Sequence, residues 1–426
     1  MFFSFTAIFC NGIMNKKDKG GFFVNKKLTV AVIGCGNFAK NFVPLFKEHP
    51  YVEKVYVCDL IKEKALEYSE KFEVEIIPTF EDALSDASIN CIANFTQRQL
   101  HGEVVIKALK AGKHVYSAVP MAPTVEECKE IVDLVKKTGL TYVIGETCYY
   151  YPCAMYCRKA YKEGKFGAFQ YGASQYYHHI DSISYGKRPE ERGMAPMLYP
   201  THSTAMILSA VNSYVTKVSC FGCKAPKEDK AFDIESEWNN EFINQYALME
   251  FANGGTARVT EARGFGWAKP SSYISALYGT KGGYEFSNAQ HILVEKIEDD
   301  PDGRERVNLT DVSDYVNSTN MTANKDLPDF KNRVANGDWQ WSSTSPIQQK
   351  EIDRLPKEYE KLPNGHMGTH KFLIDDFCCA AYTGKMAELN AWFAARVTVP
   401  GLVAIESSKL GGVPLDVPDF GEPPVK

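Results

Sequence analysis

The chain has 426 residues and a formal net charge of −5, from 48 Lys+Arg against 53 Asp+Glu. That balance excludes a strongly basic nucleic-acid binder, which needs a cationic surplus to displace counterions from phosphates. Hydrophobic residues at 44% and charged residues at 24% can fill the cores of two domains. No run approaches the ~20 apolar residues that span a bilayer.

Met1–Ile13 is apolar, but lysines follow it instead of preceding it and no small-residue cleavage site appears, unlike a secretory leader. Residues 1–25 are set aside as an N-terminal extension, with Met14 an alternative start. The 12 cysteines are scattered, and Cys35, Cys58 and Cys91 sit in or beside apolar runs. They read as reduced structural thiols of a cytoplasmic protein. Cys220 and Cys223 form the one CxxC, with no second pair or His at zinc spacing, so no metal is expected.

Leu28–Ile33 is a β-branched run that ends at glycine, the pattern of a buried parallel strand. Helical spacing follows over Phe38–Lys47. Further strands are predicted at Val55–Cys58, Asn90–Asn94, His114–Tyr116 and Tyr142–Ile144. They alternate with helices over Lys62–Lys71, Glu103–Lys110 and Val125–Lys137. That alternation implies a doubly wound parallel α/β sheet, a Rossmann-type domain over residues 26–146.

Beyond Tyr150 a helix (Ala154–Glu163) leads into strands at Ala168–Tyr177, Val215–Phe221, Ile243–Phe251, Gly255–Glu261 and Ser272–Tyr278. Residues 147–426 are expected to form an α+β domain with an open, mainly antiparallel sheet, for substrate and oligomer contacts. Residues 297–365 are poor in apolar runs and read as a long loop or lid-like insertion, with Trp339 and Trp341 packing part of it. Helices over Thr369–Ala381 and Leu389–Ser408 close the chain, and Asp375-Asp376 on the first are expected to be solvated or salt-bridged.

Gly34-Cys-Gly36-Asn37-Phe38-Ala39 stands between the first strand and the first helix. In that context Gly34 permits the turn, Gly36 admits a pyrophosphate to the backbone, and Ala39 allows close helix–sheet packing. Asp59 ends the second strand, where a carboxylate binds an adenosine ribose 2′-hydroxyl and repels a 2′-phosphate. NAD is therefore the expected cofactor.

With these marks, the Thr96…His101 segment after the fourth strand and Lys113-His-Val115 leading to Pro120, the chain resembles the Gfo/Idh/MocA oxidoreductases. Those are two-domain enzymes acting mostly on sugars and cyclitols. The resemblance implies cofactor contacts from Gly34, Gly36, Asn37, Phe38, Ala39, Asp59, Thr96, His101 and Pro120. That family commonly carries Glu-Lys-Pro where this chain has Ala118-Val119-Pro120, and Val119 cannot transfer a proton.

Four local patterns resemble the NAD-dependent glycosidase branch, the α-N-acetylgalactosaminidase type: Gly145-Glu146-Thr-Cys-Tyr149, Tyr176-Tyr-His178, Tyr199-Pro-Thr-His202 and Gly365-His366-Met-Gly368. That branch also has Val-Pro in place of Lys-Pro. The likeness places Glu146, Tyr176, His178, Tyr199 and His202 around a sugar. This chain departs from it at His179, where an acidic residue is expected, and at Ser203-Thr204, which replace a glycine-containing turn.

The residue chemistry agrees. Residues two apart on a strand share a face, so Tyr176 and His178 project together. Histidine is matched to proton transfer at neutral pH, and His202 is expected to open a helix after Pro200. The leading expectation is an NAD-dependent oxidoreductase that oxidises a secondary hydroxyl of a sugar or glycoside by hydride transfer to nicotinamide, at C3 by resemblance. The alternatives are a redox-neutral glycosidase working through a 3-keto intermediate and elimination, and a non-catalytic NAD-responsive regulator. No nucleic acid or membrane partner is expected. The open sheet face implies a homo-oligomer, a dimer or larger.

Overall fold

The run Leu28–Ile33 forms β1, buried at every position and flanked on both sides by parallel partners. The computed structural model describes residues 26–178, 193–226, 238–264, 272–286, 290–297, 307–317, 345–362 and 364–424. The first sheet has six parallel strands in the order β3-β2-β1-β4-β5-β6, the doubly wound arrangement expected from the sequence. Its strands are β1, β2 (Val52–Cys58), β3 (Glu75–Ile76), β4 (Cys91–Asn94), β5 (His114–Ser117) and β6 (Tyr142–Ile144). β3 escaped sequence reading because two exposed edge residues carry no periodicity.

The helix expected over 38–47 divides into a 3-10 turn at Ala39–Asn41 and α1 (Val43–Glu48), with Pro44 in its first turn. α2 (Lys62–Phe72), α3 (Phe80–Ser85), α4 (His101–Lys110) and α5 (Val125–Thr138) follow. Thr124 caps α5 by accepting from the backbone N–H of Glu127, and Gly139 ends it in the left-handed region.

α6 (Pro152–Lys162) leads to the second sheet, of nine strands in the order β14-β13-β12-β11-β7-β10-β9-β8-β15. These are β7 (Phe169–Tyr177), β8 (Val215–Lys224), β9 (Phe242–Phe251), β10 (Thr256–Ala262), β11 (Ser272–Gly279), β12 (Gly282–Phe286), β13 (His291–Lys296), β14 (Val307–Asp311) and β15 (Leu415–Asp416). Pairing is antiparallel except between β7 and β10. α7 (Thr201–Val211) packs on β7 and on the turn after β6.

The stretch expected to lack structure is corrected where it is described. β14, a helical turn at Ser313–Val316 and α8 (Pro346–Ile352) all fall within it. β14 is exposed along its length, so its pattern held no apolar alternation to read. Trp339 and Trp341 lie outside the described residues, as does His179.

The boundary at residue 146 is crossed from the far end of the chain. α9 (His370–Thr383) packs on α1, β1 and β6, and α10 (Ala391–Lys409) packs on α5, β6 and β8. Asp375 and Asp376, expected to be solvated or salt-bridged, take the second state. Arg354 holds Asp375 at 2.6 Å and Asp376 at 3.0 Å, and His49 reaches Asp375 at 3.3 Å. No described helix is long and apolar enough to cross a membrane.

Candidate active site

Four chain segments leave the C-terminal edge of the parallel sheet together: Gly34 after β1, Thr96 after β4, Pro120 after β5 and Glu146 after β6. That edge is where open α/β sheets bind ligands.

Gly34 has φ +96°, and a Cβ there would stand 2.6 Å from the Phe95 carbonyl oxygen, so only glycine fits. A Cβ at Gly36 would meet no atom within 4 Å. The turn thus leaves a shelf of bare backbone that a side chain would fill and a pyrophosphate can use. Ala39 is fully buried, as close helix packing requires. Asp59 accepts from the Cys35 N–H at 2.7 Å and the Ile61 N–H at 2.8 Å. Each carboxylate oxygen keeps a second lone pair for a ribose hydroxyl. These residues fit an adenine dinucleotide without a 2′-phosphate.

The remaining residues expected at the cofactor divide between this shelf and its supports. Asn37 accepts from Lys40 at 2.8 Å. Phe38 turns inward, its ring edge-on to Phe42, His366 and His370. Thr96 donates its hydroxyl to Asn94 at 2.7 Å. His101 is buried with both ring nitrogens against carbonyls, Pro120 at 2.7 Å and Thr96 at 3.1 Å. It ties the loop after β4 to the one after β5. Burial holds its pKa below the ordinary histidine value despite those carbonyls.

On the far side, Glu146 is 0% exposed and caps the 3-10 turn Thr147–Tyr150 through the Cys148 N–H at 2.8 Å. The same oxygen, Oε1, lies 2.7 Å from His202 Nδ1 in the first turn of α7. Oε2 is buried and has no partner among the described residues. Because Nδ1 donates to a carboxylate, the lone pair of His202 is carried by Nε2. The ring of Tyr199 stands edge-on to His202 at 4.9 Å and that of Tyr176 at 5.1 Å. Tyr176 bonds His178 Nδ1 at 3.1 Å, so the two project to one face as alternation requires. All five residues expected at the sugar are therefore placed in one cluster.

His366 joins it from the C-terminal segment. It and Met367 hold left-handed backbones, φ +46° and +56°, and His366 Nδ1 lies 2.8 Å from His370 Nε2. Burial, with His202 adding to it, pulls the His366 pKa down to about 3. Phe38 packing on His366 joins the dinucleotide turn to the sugar side.

Sequence reading missed Arg98, whose guanidinium lies 4.4 Å over Tyr199, and Arg263, 4.9 Å over Tyr176. It also missed Glu261 and Ser203 beside them. The usable signal was Glu261 standing in phase with the buried Ala257 and Val259. Two groups of metal-ligand type occur among the described residues, Glu146/Cys148/His202 and His49/Asp375/Cys379. In the first, burial pushes the Cys148 thiol well above the ordinary thiol range, and a protonated thiol is a poor ligand. In the second, Asp375 is already held by Arg354. Cys220 is buried and Cys223 exposed.

The fold and the shelf define the class: a two-domain protein whose parallel-sheet domain is an NAD-binding Rossmann fold. Residues 28–146 match the Gfo/Idh/MocA family model described as "Oxidoreductase family, NAD-binding Rossmann fold". Across 92% of its length the chain is 25% identical to a "Glycosyl hydrolase family 109 protein" of Streptomyces filamentosus, covering 77% of that protein. It is 22% identical to the "2,7-anhydro-N-acetylneuraminate hydratase" of Escherichia coli (strain K12), over 67% of this chain and 78% of that one. Among solved structures, levoglucosan dehydrogenase in complex with NADH and L-sorbose has the same fold: TM-score 0.68, 19% identity, covering 93% of this chain and 100% of that one.

Proposed function

We propose that the protein oxidises a secondary hydroxyl, at C3, of a sugar or glycoside seated between Glu146, Tyr176, His178, Tyr199 and His202. The observation that carries this reading is the Glu146–His202 pair, 2.7 Å apart and buried, with an unpartnered carboxylate oxygen beside it. The carbon that bears a carbohydrate hydroxyl releases hydride only as the hydroxyl proton is taken. His202, oriented through Nδ1, offers Nε2 for that proton, and Glu146 stabilises the charge the ring acquires. Glu146 Oε2 is suited to a neighbouring sugar hydroxyl. NAD, when bound on the Gly34–Ala39 shelf, supplies the hydride acceptor. Val119 is apolar and buried, so the acid–base work falls to this cluster.

A second reading has its own support. Simple oxidation needs one proton acceptor, yet Tyr176–His178 forms a second acid–base pair within ring contact of the first. A redox-neutral glycosidase uses two. After oxidation at C3, one group removes the acidified C2 proton while the C1 substituent leaves; water then adds and the ketone is reduced again. Likeness along 92% of the chain to a family 109 glycosyl hydrolase also favours it.

A paired assay on a glycoside panel tests both, following NADH absorbance and aglycone release together. NADH rising in step with substrate loss supports a net dehydrogenase. Aglycone release with catalytic NAD and no NADH accumulation supports the glycosidase. Silence in both channels with NAD binding intact overturns both and leaves a regulator.

A further inference from the structure

Next to Tyr176 lies a buried ion pair that neither route uses. Along β10 the inward positions run Ala257, Val259, Glu261, so a carboxylate occupies the third place of an apolar row and is 0% exposed. Its oxygens are both engaged: Ser203 donates its hydroxyl to Oε1, and Arg263 lies 3.1 Å from Oε2. Arg263 is equally buried and also donates to the carbonyls of Ala262 at 3.2 Å and Pro196 at 3.3 Å. Burying such a pair stabilises a fold no more than apolar side chains of the same volume do. What the pair faces is therefore informative. Glu261 stands opposite Tyr176 in the β7–β10 register, and the Arg263 guanidinium lies 4.9 Å over the Tyr176 ring. Ser203 directly follows His202 on α7, so the pair is anchored to both acid–base groups.

We propose that Arg263 is a positioning residue for Tyr176: clamped by Glu261, its guanidinium holds a fixed positive charge against the phenol and makes Tyr176 able to give up and regain a proton. The inference rests on the reading that Tyr176 handles a substrate proton.

The other groups that bear on the phenol are Arg98 from the loop after β4, Cys148 and Tyr151 at the turn after β6, Tyr199 and His202 around the start of α7, and His178 on β7 itself. Burial pushes the phenol up to about 12, and Arg263 followed by Arg98 opposes that rise. Glu261 is pushed up to about 8 by burial, against the pull of Arg263 and Ser203, and its charge in the pair opposes that of Arg263 at the phenol.

The test places 3,5-difluorotyrosine at position 176 alone, a phenol acidic enough to titrate while the protein is folded, and reads its midpoint by fluorine NMR. Arg263→Met is expected to raise the midpoint by roughly one pH unit or more. Arg263→Lys is expected to restore part of that shift. Glu261→Gln removes the opposing negative charge and is expected to move the midpoint the other way. A purely structural clamp predicts no shift, or shifts of one sign in Arg263→Met and Glu261→Gln, and either result overturns the proposal. If Arg263→Met does not fold, the Arg263→Lys and Glu261→Gln pair decides by the same criterion. On a glycoside that the wild type turns over, Arg263→Met is expected to lower kcat about 10- to 100-fold with KM little changed. If the wild type turns over no glycoside, the functional reading fails while the fluorine titration still tests the electrostatic one.

Discussion

His202 Nδ1 lies 2.7 Å from Glu146 Oε1, although 56 residues separate them and they belong to different domains. Glu146 follows the last strand of the parallel sheet and His202 lies in the first turn of the helix that packs on β7, so the bond joins the two sheets. Replacing Glu146 by Gln keeps the volume but removes the charge that orients the ring and supports its protonation. We expect kcat to fall about 10²–10⁴-fold. NAD affinity by calorimetry should be unchanged, and a matching loss of NAD binding would assign Glu146 to the cofactor instead.

The two glycines of the turn separate folding from binding. Gly34→Ala forces a left-handed backbone and a contact with the Phe95 carbonyl, and should destabilise the protein by about 2–4 kcal/mol in urea. Gly36→Ala meets open space, so stability should change by less than ~0.5 kcal/mol. NAD affinity should nonetheless drop about tenfold or more, a loss of ~1.4 kcal/mol. Equal effects of the two variants on stability would contradict this division.

Asp59 accepts from the Cys35 and Ile61 N–H groups and presents its remaining lone pairs outward. Equilibrium binding should favour NAD over NADP by about tenfold or more, and Asp59→Ser should narrow that ratio by admitting the 2′-phosphate.

Stability should decline in mild acid. Burial pulls the His291 pKa down to about 4, with the Asn317 side chain at 2.9 Å from Nε2. The unfolded chain takes up that proton near the ordinary value of about 6.5, so it binds more protons than the folded chain between those values. The stabilisation is full above about 6.5 and is lost as pH falls toward 4. His291 alone should account for about 2 kcal/mol by pH 5. His366, held to about 3, acts in the same direction. Urea unfolding at pH 7.5 and pH 5 measures the loss, and His291→Gln should flatten it.

The outward face of the second sheet carries Phe221 and Leu248, 60% and 62% exposed on adjacent strands β8 and β9. We expect a homo-oligomer that covers this face. Light scattering at micromolar concentration should give a multiple of 47.7 kDa, and Leu248→Lys should lower it. A monomeric wild type would remove the expectation.

The dinucleotide half was legible from sequence because each signal is local. β-branched runs, the Gly34–Ala39 spacing and Asp59 lie within about 30 residues and act through the backbone they belong to. The five sugar-side residues were found as three separate patterns, at 146, 176–178 and 199–202, without any indication that Glu146 would orient His202. That pairing depends on how α7 packs against the turn after β6. His101 shows another limit: its motif gave no sign that its ring would stand between the carbonyls of Pro120 and Thr96 on two loops.

The sequence by itself determined the layers and the cofactor shelf and picked out the side chains that gather beside it, because periodicity and turn chemistry are short-range. Tertiary structure alone decided which groups pair, which oxygen of Glu146 stays free, and that Arg263 lies over Tyr176. Those outcomes depend on distances between segments far apart in the chain, and hydrogen bonding and burial act on distance in space, not on position in sequence.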